Sequence, residues 1–304
     1  MKLWEHYHTP TTVDDALALL AQYAGQARVI AGGTDLLVDA RAEGGFHPYP
    51  ALVDITRIPE LRKIEENGGF ITIGAGATHT QIVNSPLLAR YATCLVESCG
   101  VVGGPQVRNV GTLGGNVAHA LPAGDGTTSL VALDAEADIV KDGQPRRVSI
   151  QEMFLGPGQS LVDPTRDLLL RFRFRRADHC EATAFKRIMR PQGVALPILG
   201  CAVWVRLDEN RMVFEAARIT IAPIGPIPGR ADEVERALIG QPTVDETITR
   251  IAELAQSTLH PRTSKYRATA DYRREMIGVL VRRTLTLAVK RAQTGDIVPE
   301  GVGA

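Results

Sequence analysis

Two short stretches set small, flexible backbone beside hydroxyl, amide and carboxylate groups. The first is Arg28-Val29-Ile30-Ala31-Gly32-Gly33-Thr34-Asp35-Leu36, an apolar run ending in paired glycines, a hydroxyl and a carboxylate. The second is Thr112-Leu113-Gly114-Gly115-Asn116, followed by His119-Ala-Leu-Pro-Ala-Gly124-Asp125. Paired glycines let a chain take positive φ and bring its N–H groups close to a ligand, as a diphosphate requires. Two such turns could clamp one diphosphate between two domains through backbone donors. The competing reading is two structural turns, because glycine also punctuates ordinary loops. Neither stretch is the GxGxxG of a dinucleotide fold, and a Walker GxxxxGK(S/T) is absent from the sequence.

The elements that must position these residues follow from periodicity and punctuation. Thr12 to Leu20 supplies a hydroxyl cap, first-turn acids and an apolar stripe, which predicts a helix. With the strand running into Gly32-Gly33, a helical start at Leu36 and a strand over 51–55, the beginning of the chain reads as a small α/β unit, followed by a polar hinge at 57–67. Residues 70–74 alternate as a strand, and 78–84 and 86–97 have helical spacing, the latter opened by Pro86. Residues 100–119 hold six glycines in twenty positions, which suits backbone wrapped closely around something. A helix over 127–133, strands over 137–141 and 146–150 around Asp142-Gly143, and a strand over 167–175 come next. In the last of these, Phe172 and Phe174 share one face and Arg171, Arg173 and Arg175 the other, as in a half-buried strand. From Ala182 three strands (182–189, 199–207, 216–222) precede three helices (231–238, 244–257, 270–291), the texture of a separate α+β domain, and the tail from Thr294 is expected to be loose.

At 304 residues the chain is longer than one core usually fills, so two or three domains are expected. Lys plus Arg equals Asp plus Glu at 34 each, which argues against nucleic acid or a membrane surface as the main partner. The N-terminus lacks the basic-then-apolar run of a signal peptide, and no stretch approaches the ~20 apolar residues of a spanning helix, so a soluble cytoplasmic protein is expected. Cys94, Cys99, Cys180 and Cys201 lack the paired close spacings of a metal or cluster site and read as ordinary thiols. The seven histidines show no HExxH or other ligand spacing.

The segments Ala31–Leu36, Thr112–Asn116 and His119–Asp125, in that order, resemble the two FAD signatures of the medium subunits of molybdenum hydroxylases of the carbon monoxide dehydrogenase, xanthine dehydrogenase and 4-hydroxybenzoyl-CoA reductase kind. The likeness continues through 154–161, 184–193, 217–231 and 271–285, nearly the whole chain. The resemblance implies an α+β fold: a two-part FAD-binding domain of the vanillyl-alcohol-oxidase type, then a smaller α+β C-terminal domain of three strands plus helices. The implied divisions are 1–57, 58–177, 178–292 and a loose tail at 293–304. It further implies that Arg28 to Leu36 wrap a non-covalent FAD, with Gly32, Gly33 and Thr34 donating to the pyrophosphate. Thr112, Gly115 and Asn116 would grip it from the second domain, Val102, Gly111, His119 and Gly124 would lie along the cofactor, and Asp125 would bind flavin hydroxyls. Lys186 falls where the xanthine dehydrogenase branch has a lysine near the flavin, where a cation would stabilise the anionic reduced ring; a plain surface lysine is the equal alternative. The resemblance implies that the segment Arg187–Pro197 is the variable loop near the flavin in that branch, and here it lacks that branch's acidic pair. The reductase branch carries an inserted four-cysteine cluster loop, whereas residues 116–174 contain no cysteine here, so no iron–sulfur cluster is expected in this chain.

The function so implied is an electron-transfer oxidoreductase subunit. A large molybdopterin subunit would hydroxylate the substrate, a small subunit with two 2Fe–2S clusters would relay the electrons, and the FAD of this chain would pass them to an external acceptor, in a heterotrimer or its dimer. The acceptor stays open among NAD, a quinone, a ferredoxin and oxygen. Two rivals remain: a self-sufficient flavin oxidoreductase of the same fold, and a non-redox nucleotide-binding scaffold.

Overall fold

The structure, a computed structural model, describes residues 4–40, 49–190, 196–265 and 267–301. Three units follow one another along the chain, each with its own sheet and its own apolar core. The first comprises β1 (His6–His8), α1 (Val13–Tyr23), β2 (Ala27–Ile30), α2 (Leu36–Asp39) and β3 (Ala51–Asp54). Its strands are parallel in the order β1-β3-β2, and α1 packs Ala16 and Leu20 over them. The Thr12 hydroxyl accepts from the Asp15 N–H and fixes the start of α1, as its sequence predicts.

The second unit is built on a five-stranded antiparallel sheet. It contains β4 (Ile64–Asn67), β5 (Phe70–Gly74), α3 (His79–Val83), α4 (Pro86–Tyr91), α5 (Thr93–Gly100), α6 (Pro105–Val110), α7 (Leu113–Ala118), α8 (Asp125–Ala132), β6 (Glu136–Lys141), β7 (Gln144–Ser149), β8 (Phe154–Gly156), β9 (Gln159–Ser160) and β10 (Leu168–Arg175). The sheet order is β4-β5-β10-β6-β7. Asp142 and Gly143 both take positive φ between β6 and β7, the twist a two-residue hairpin needs. On β10, Phe172 and Phe174 enter the core while Arg171 and Arg173 meet Asp138 and Glu136 on the other face. That is the half-buried strand its alternation predicts.

Three details depart from the pattern reading. The polar hinge at 57–67 contains a helical turn over Pro59–Arg62 and strand β4, whose mostly exposed edge residues carry no apolar alternation to announce them. The helix expected over 86–97 is two helices, broken at Ala92, where φ is −148° and ψ 50°. The glycine-rich 100–119 is not open loop throughout but contains α6 and α7.

The third unit has an antiparallel meander, β11 (Glu181–Met189), β12 (Pro197–Leu207) and β13 (Phe214–Ala222), then α9 (Asp232–Leu238), α10 (Asp245–Thr258) and α11 (Ala270–Thr294). Helix α11 covers one face of the meander, while α5 and α8 of the second unit cover the other. Buried Glu97 on α5 pairs with buried Arg291 on α11 at 2.6 Å and also accepts from the Glu300 N–H at 2.8 Å. Arg291 in turn donates to the Val298 carbonyl. The tail expected to be loose is therefore held as far as Glu300, by an anchor some two hundred positions away that no local pattern reveals. Among the described residues no helix is long and apolar enough to cross a membrane. Residues 191–195 of the variable loop and 302–304 of the tail lie outside the described residues.

Candidate functional site

A cleft of about 750 Å³ runs between the first and second units and reaches β11 and β12 of the third. All of Arg28 to Leu36 line it, as do Val102, Gly111, Thr112, Gly115, Asn116, His119 and Asp125. Residues separated by up to about a hundred positions are thus brought to one place. The first wall is the turn at the carboxyl end of β2, where an open parallel sheet presents its loops to a ligand.

The glycines of the first turn do different physical jobs. A Cβ on Gly32 would lie 2.2 Å from the Val110 carbonyl oxygen and 2.8 Å from Gly111 Cα, so Gly32 lets the first unit touch the second. Gly33 takes φ +67°, a conformation L side chains rarely adopt. Among the described residues none accepts a hydrogen bond from the N–H groups of Gly32, Gly33, Thr34 or Asp35. These four successive donors border the cleft, the arrangement that receives an anion.

The second glycine pair is built differently, which corrects the expectation of two matching sets of backbone donors. The Gly115 N–H donates to the Thr112 hydroxyl at 3.0 Å, Gly114 N–H to the Ala75 carbonyl at 2.8 Å, and Asn116 N–H to the Thr112 carbonyl at 3.0 Å. A Cβ on Gly114 would stand 2.5 Å from the Ala75 oxygen, so this glycine allows α7 to dock on the segment that leaves β5. Its amides engaged, this wall offers side chains instead: the Thr112 hydroxyl, the Asn116 amide and His119. His119 Nε2 lies 3.9 Å from Asp35 Oδ1, across from one unit to the other.

Asp125 opens α8 at the inner end of the cleft and is 6 % exposed. Its Oδ2 accepts from Arg187 Nη1 at 2.8 Å, and its enclosed Oδ1 has no hydrogen-bond partner among the described residues. Burial pushes its carboxyl up to about 7, with the Arg187 charge opposing that rise. His79, on the floor beside Gly111, is also buried with Nδ1 unpartnered, and burial aided by Arg108 lowers it to about 4, so it is neutral at pH 7. Arg187 opens the 187–197 segment that the resemblance places near the flavin, though no role is implied for its side chain, and His79 is one of seven histidines without ligand spacing. Strand alternation sets Arg187 and Lys186 on opposite faces without saying which face meets the cleft, and nothing local distinguishes His79.

Two expected residues lie elsewhere. Gly124 is behind the wall, where its missing Cβ leaves room for Asn116 Oδ1 and Thr127 Oγ1. Lys186 is on the opposite face of β11 from the cleft, ion-paired with Glu300 in a groove beside Arg282, Arg283 and Lys290 of α11. Neighbouring strand residues point to opposite faces, and the face turned to the cleft is that of Phe185 and Arg187.

Four unengaged amides, a glycine cradle and a carboxylate in the lining fit a diphosphate-containing, polyhydroxylated ligand such as FAD. Residues 2–174 match the family described as the FAD binding domain in molybdopterin dehydrogenase. The chain belongs to the FAD-binding medium subunits of the molybdenum hydroxylases. Residues 183–288 of this medium subunit match the carbon monoxide dehydrogenase flavoprotein C-terminal domain. It is 30 % identical to the carbon monoxide dehydrogenase medium chain of Hydrogenophaga pseudoflava, over 94 % of this chain and 97 % of that one. It is also 30 % identical to the xanthine dehydrogenase FAD-binding subunit of Escherichia coli O157:H7, over 94 % and 96 % of the two chains. Among solved structures, it superposes on a chain of the H. pseudoflava carbon monoxide dehydrogenase with a TM-score of 0.85, covering 94 % of this chain and 97 % of that one. Quinoline 2-oxidoreductase from Pseudomonas putida 86 gives the same TM-score at 25 % identity, with 95 % and 98 % covered.

Proposed function

We propose that this medium subunit is the electron outlet of a three-component hydroxylase: its FAD receives electrons from 2Fe–2S clusters on a small subunit and delivers them to an external acceptor, while a large molybdopterin subunit oxidises the organic substrate. The observation that carries this reading is the cleft between the first two units, with four free amides at one wall and side-chain donors at the other. FAD suits the position because it can take electrons singly and release them as a pair.

The chain's own residues bind and orient. The N–H groups of Gly32 to Asp35 hold the pyrophosphate, and Thr112, Asn116 and His119 close on it from the second unit. Asp125, which lines the cleft, accepts from a ribityl hydroxyl. Val102 and Leu169 line the cleft with apolar surface that excludes water. The divisions at about 57 and 177 separate two parts of one cofactor-binding domain from a C-terminal domain that completes the inner end.

Purification from the native source under mild salt tests this, with an absorption spectrum and an inventory of metals and companion chains. Non-covalent FAD with molybdenum, iron and two further chains is the expected result. FAD on a lone chain that oxidises a substrate overturns the subunit reading, and a colourless chain overturns the flavin itself.

A further inference from the structure

We propose that Arg187, held in place by Asp125, is the cation this chain presents to the reduced flavin ring, and that Lys186 has no part in it. The inference rests on the FAD reading above and goes beyond it by assigning the electrostatic control of the ring to one side chain. FAD is linear: adenosine, diphosphate, ribityl chain, ring. With the diphosphate on the amides of Gly32 to Asp35 and a ribityl hydroxyl on Asp125, the ring would be the next group beyond Asp125. Arg187 stands at that point, with Nη1 2.8 Å from Asp125 Oδ2 and a side chain only 9 % exposed.

Arg28 is the other arginine that lines the cleft among the described residues, and it sits on β2, leading into the amide turn at the diphosphate end. Lys186 is separated from the cleft by the strand itself and is paired with Glu300. The chemistry asks for a buried cation. A bound ring reduced by two electrons and one proton would carry the proton at N5 and a negative charge at N1 and its neighbouring carbonyl, and the chain's part would be to supply a cation there. A guanidinium shielded from water stabilises that charge far more than an exposed ammonium does. Asp125 fixes the guanidinium by a charge-assisted hydrogen bond, while Met189 Sδ accepts from Nη2 at 3.1 Å. Asp125 also offsets part of the charge, so the two residues act on the ring with opposite signs.

The test is the two-electron midpoint potential of the bound FAD, titrated with dithionite in the full chain or its complex, for wild type, Arg187→Gln, Arg187→Lys, Lys186→Gln and Asp125→Asn. Arg187→Gln should weaken the preference for reduced over oxidised FAD about tenfold, a fall of about 30 mV. Arg187→Lys should restore most of it, and Lys186→Gln should stay within twofold of wild type. Asp125→Asn, which leaves the guanidinium uncompensated, should shift the preference the other way, and it keeps the proposal testable if Arg187→Gln does not fold. An unchanged potential in Arg187→Gln, a fall in Lys186→Gln, or a fall in Asp125→Asn overturns the assignment. Each of these outcomes presupposes bound FAD, so a wild-type chain that takes up no FAD would instead refute the reading beneath it.

Discussion

The two glycine turns that face each other across the cleft have nearly the same composition and opposite uses of the backbone. At Gly32-Gly33 the amides of four successive residues are unengaged and the glycines serve a close inter-unit contact and a positive φ. At Gly114-Gly115 the amides are engaged by Thr112 and Ala75, and the glycine at 114 serves docking of α7. Glycine content marks where backbone must come close to something. Whether that something is ligand or protein depends on where the N–H groups already point.

The contrast can be broken most forcefully at Gly32. Gly32→Val should abolish FAD binding and cost about 3 kcal/mol, because the new side chain must push the Val110 carbonyl away. Flavin-to-protein ratio and a thermal melt would show this; normal flavin content would mean the two units do not need that contact. A second test concerns His79, which donates its backbone N–H to the Gly111 carbonyl beside the second turn. Its folded-state value lies below the unfolded one, so its contribution is complete above pH 6.5 and lost as the pH falls towards 4. At about 1.4 kcal/mol per tenfold change in proton affinity, the flavin-free chain should lose about 3 kcal/mol over that window. Urea midpoints against pH should flatten there in His79→Gln, and parallel profiles would show that the imidazole is not held neutral.

Smaller effects sharpen the comparison. Thr112→Val removes the hydroxyl that accepts from the Gly115 N–H, which should cost about 1 kcal/mol and weaken FAD several-fold. Equal stability by chemical denaturation would mean that α7 is held by docking alone. Gly115→Ala should change stability least, by about 1 kcal/mol or less in either sign. Its Cβ meets only the Thr112 hydroxyl at 3.1 Å, and alanine favours the helix. A calorimetric loss comparable to that of Gly32→Val would show that the second turn is packed as tightly as the first.

Much of the architecture was legible locally because its signals are local. The Thr12 cap, the Asp142-Gly143 hairpin, the alternating β10 and the three strands followed by three helices each follow from backbone conformational preference and apolar period within a few residues. The pairing of the two glycine turns in one cleft was legible only through the resemblance of their ordered motifs to a family. Strand β4 was missed because an exposed edge needs no apolar alternation, and the break at Ala92 because helical spacing continues across it with no proline or glycine to mark it.

The sequence by itself determined which residues are small, polar or charged at each turn, and through periodicity which elements carry them. The Gly115 and Asn116 amides are taken locally by Thr112, but tertiary structure alone decided that those of Leu113 and Gly114 are engaged, because Ala77 and Ala75 reach them from another part of the chain. It also decided that Arg187 faces the cleft and Lys186 faces α11. A strand's alternation states that neighbours point apart, but only the layers packed against its two faces say which of them meets the ligand.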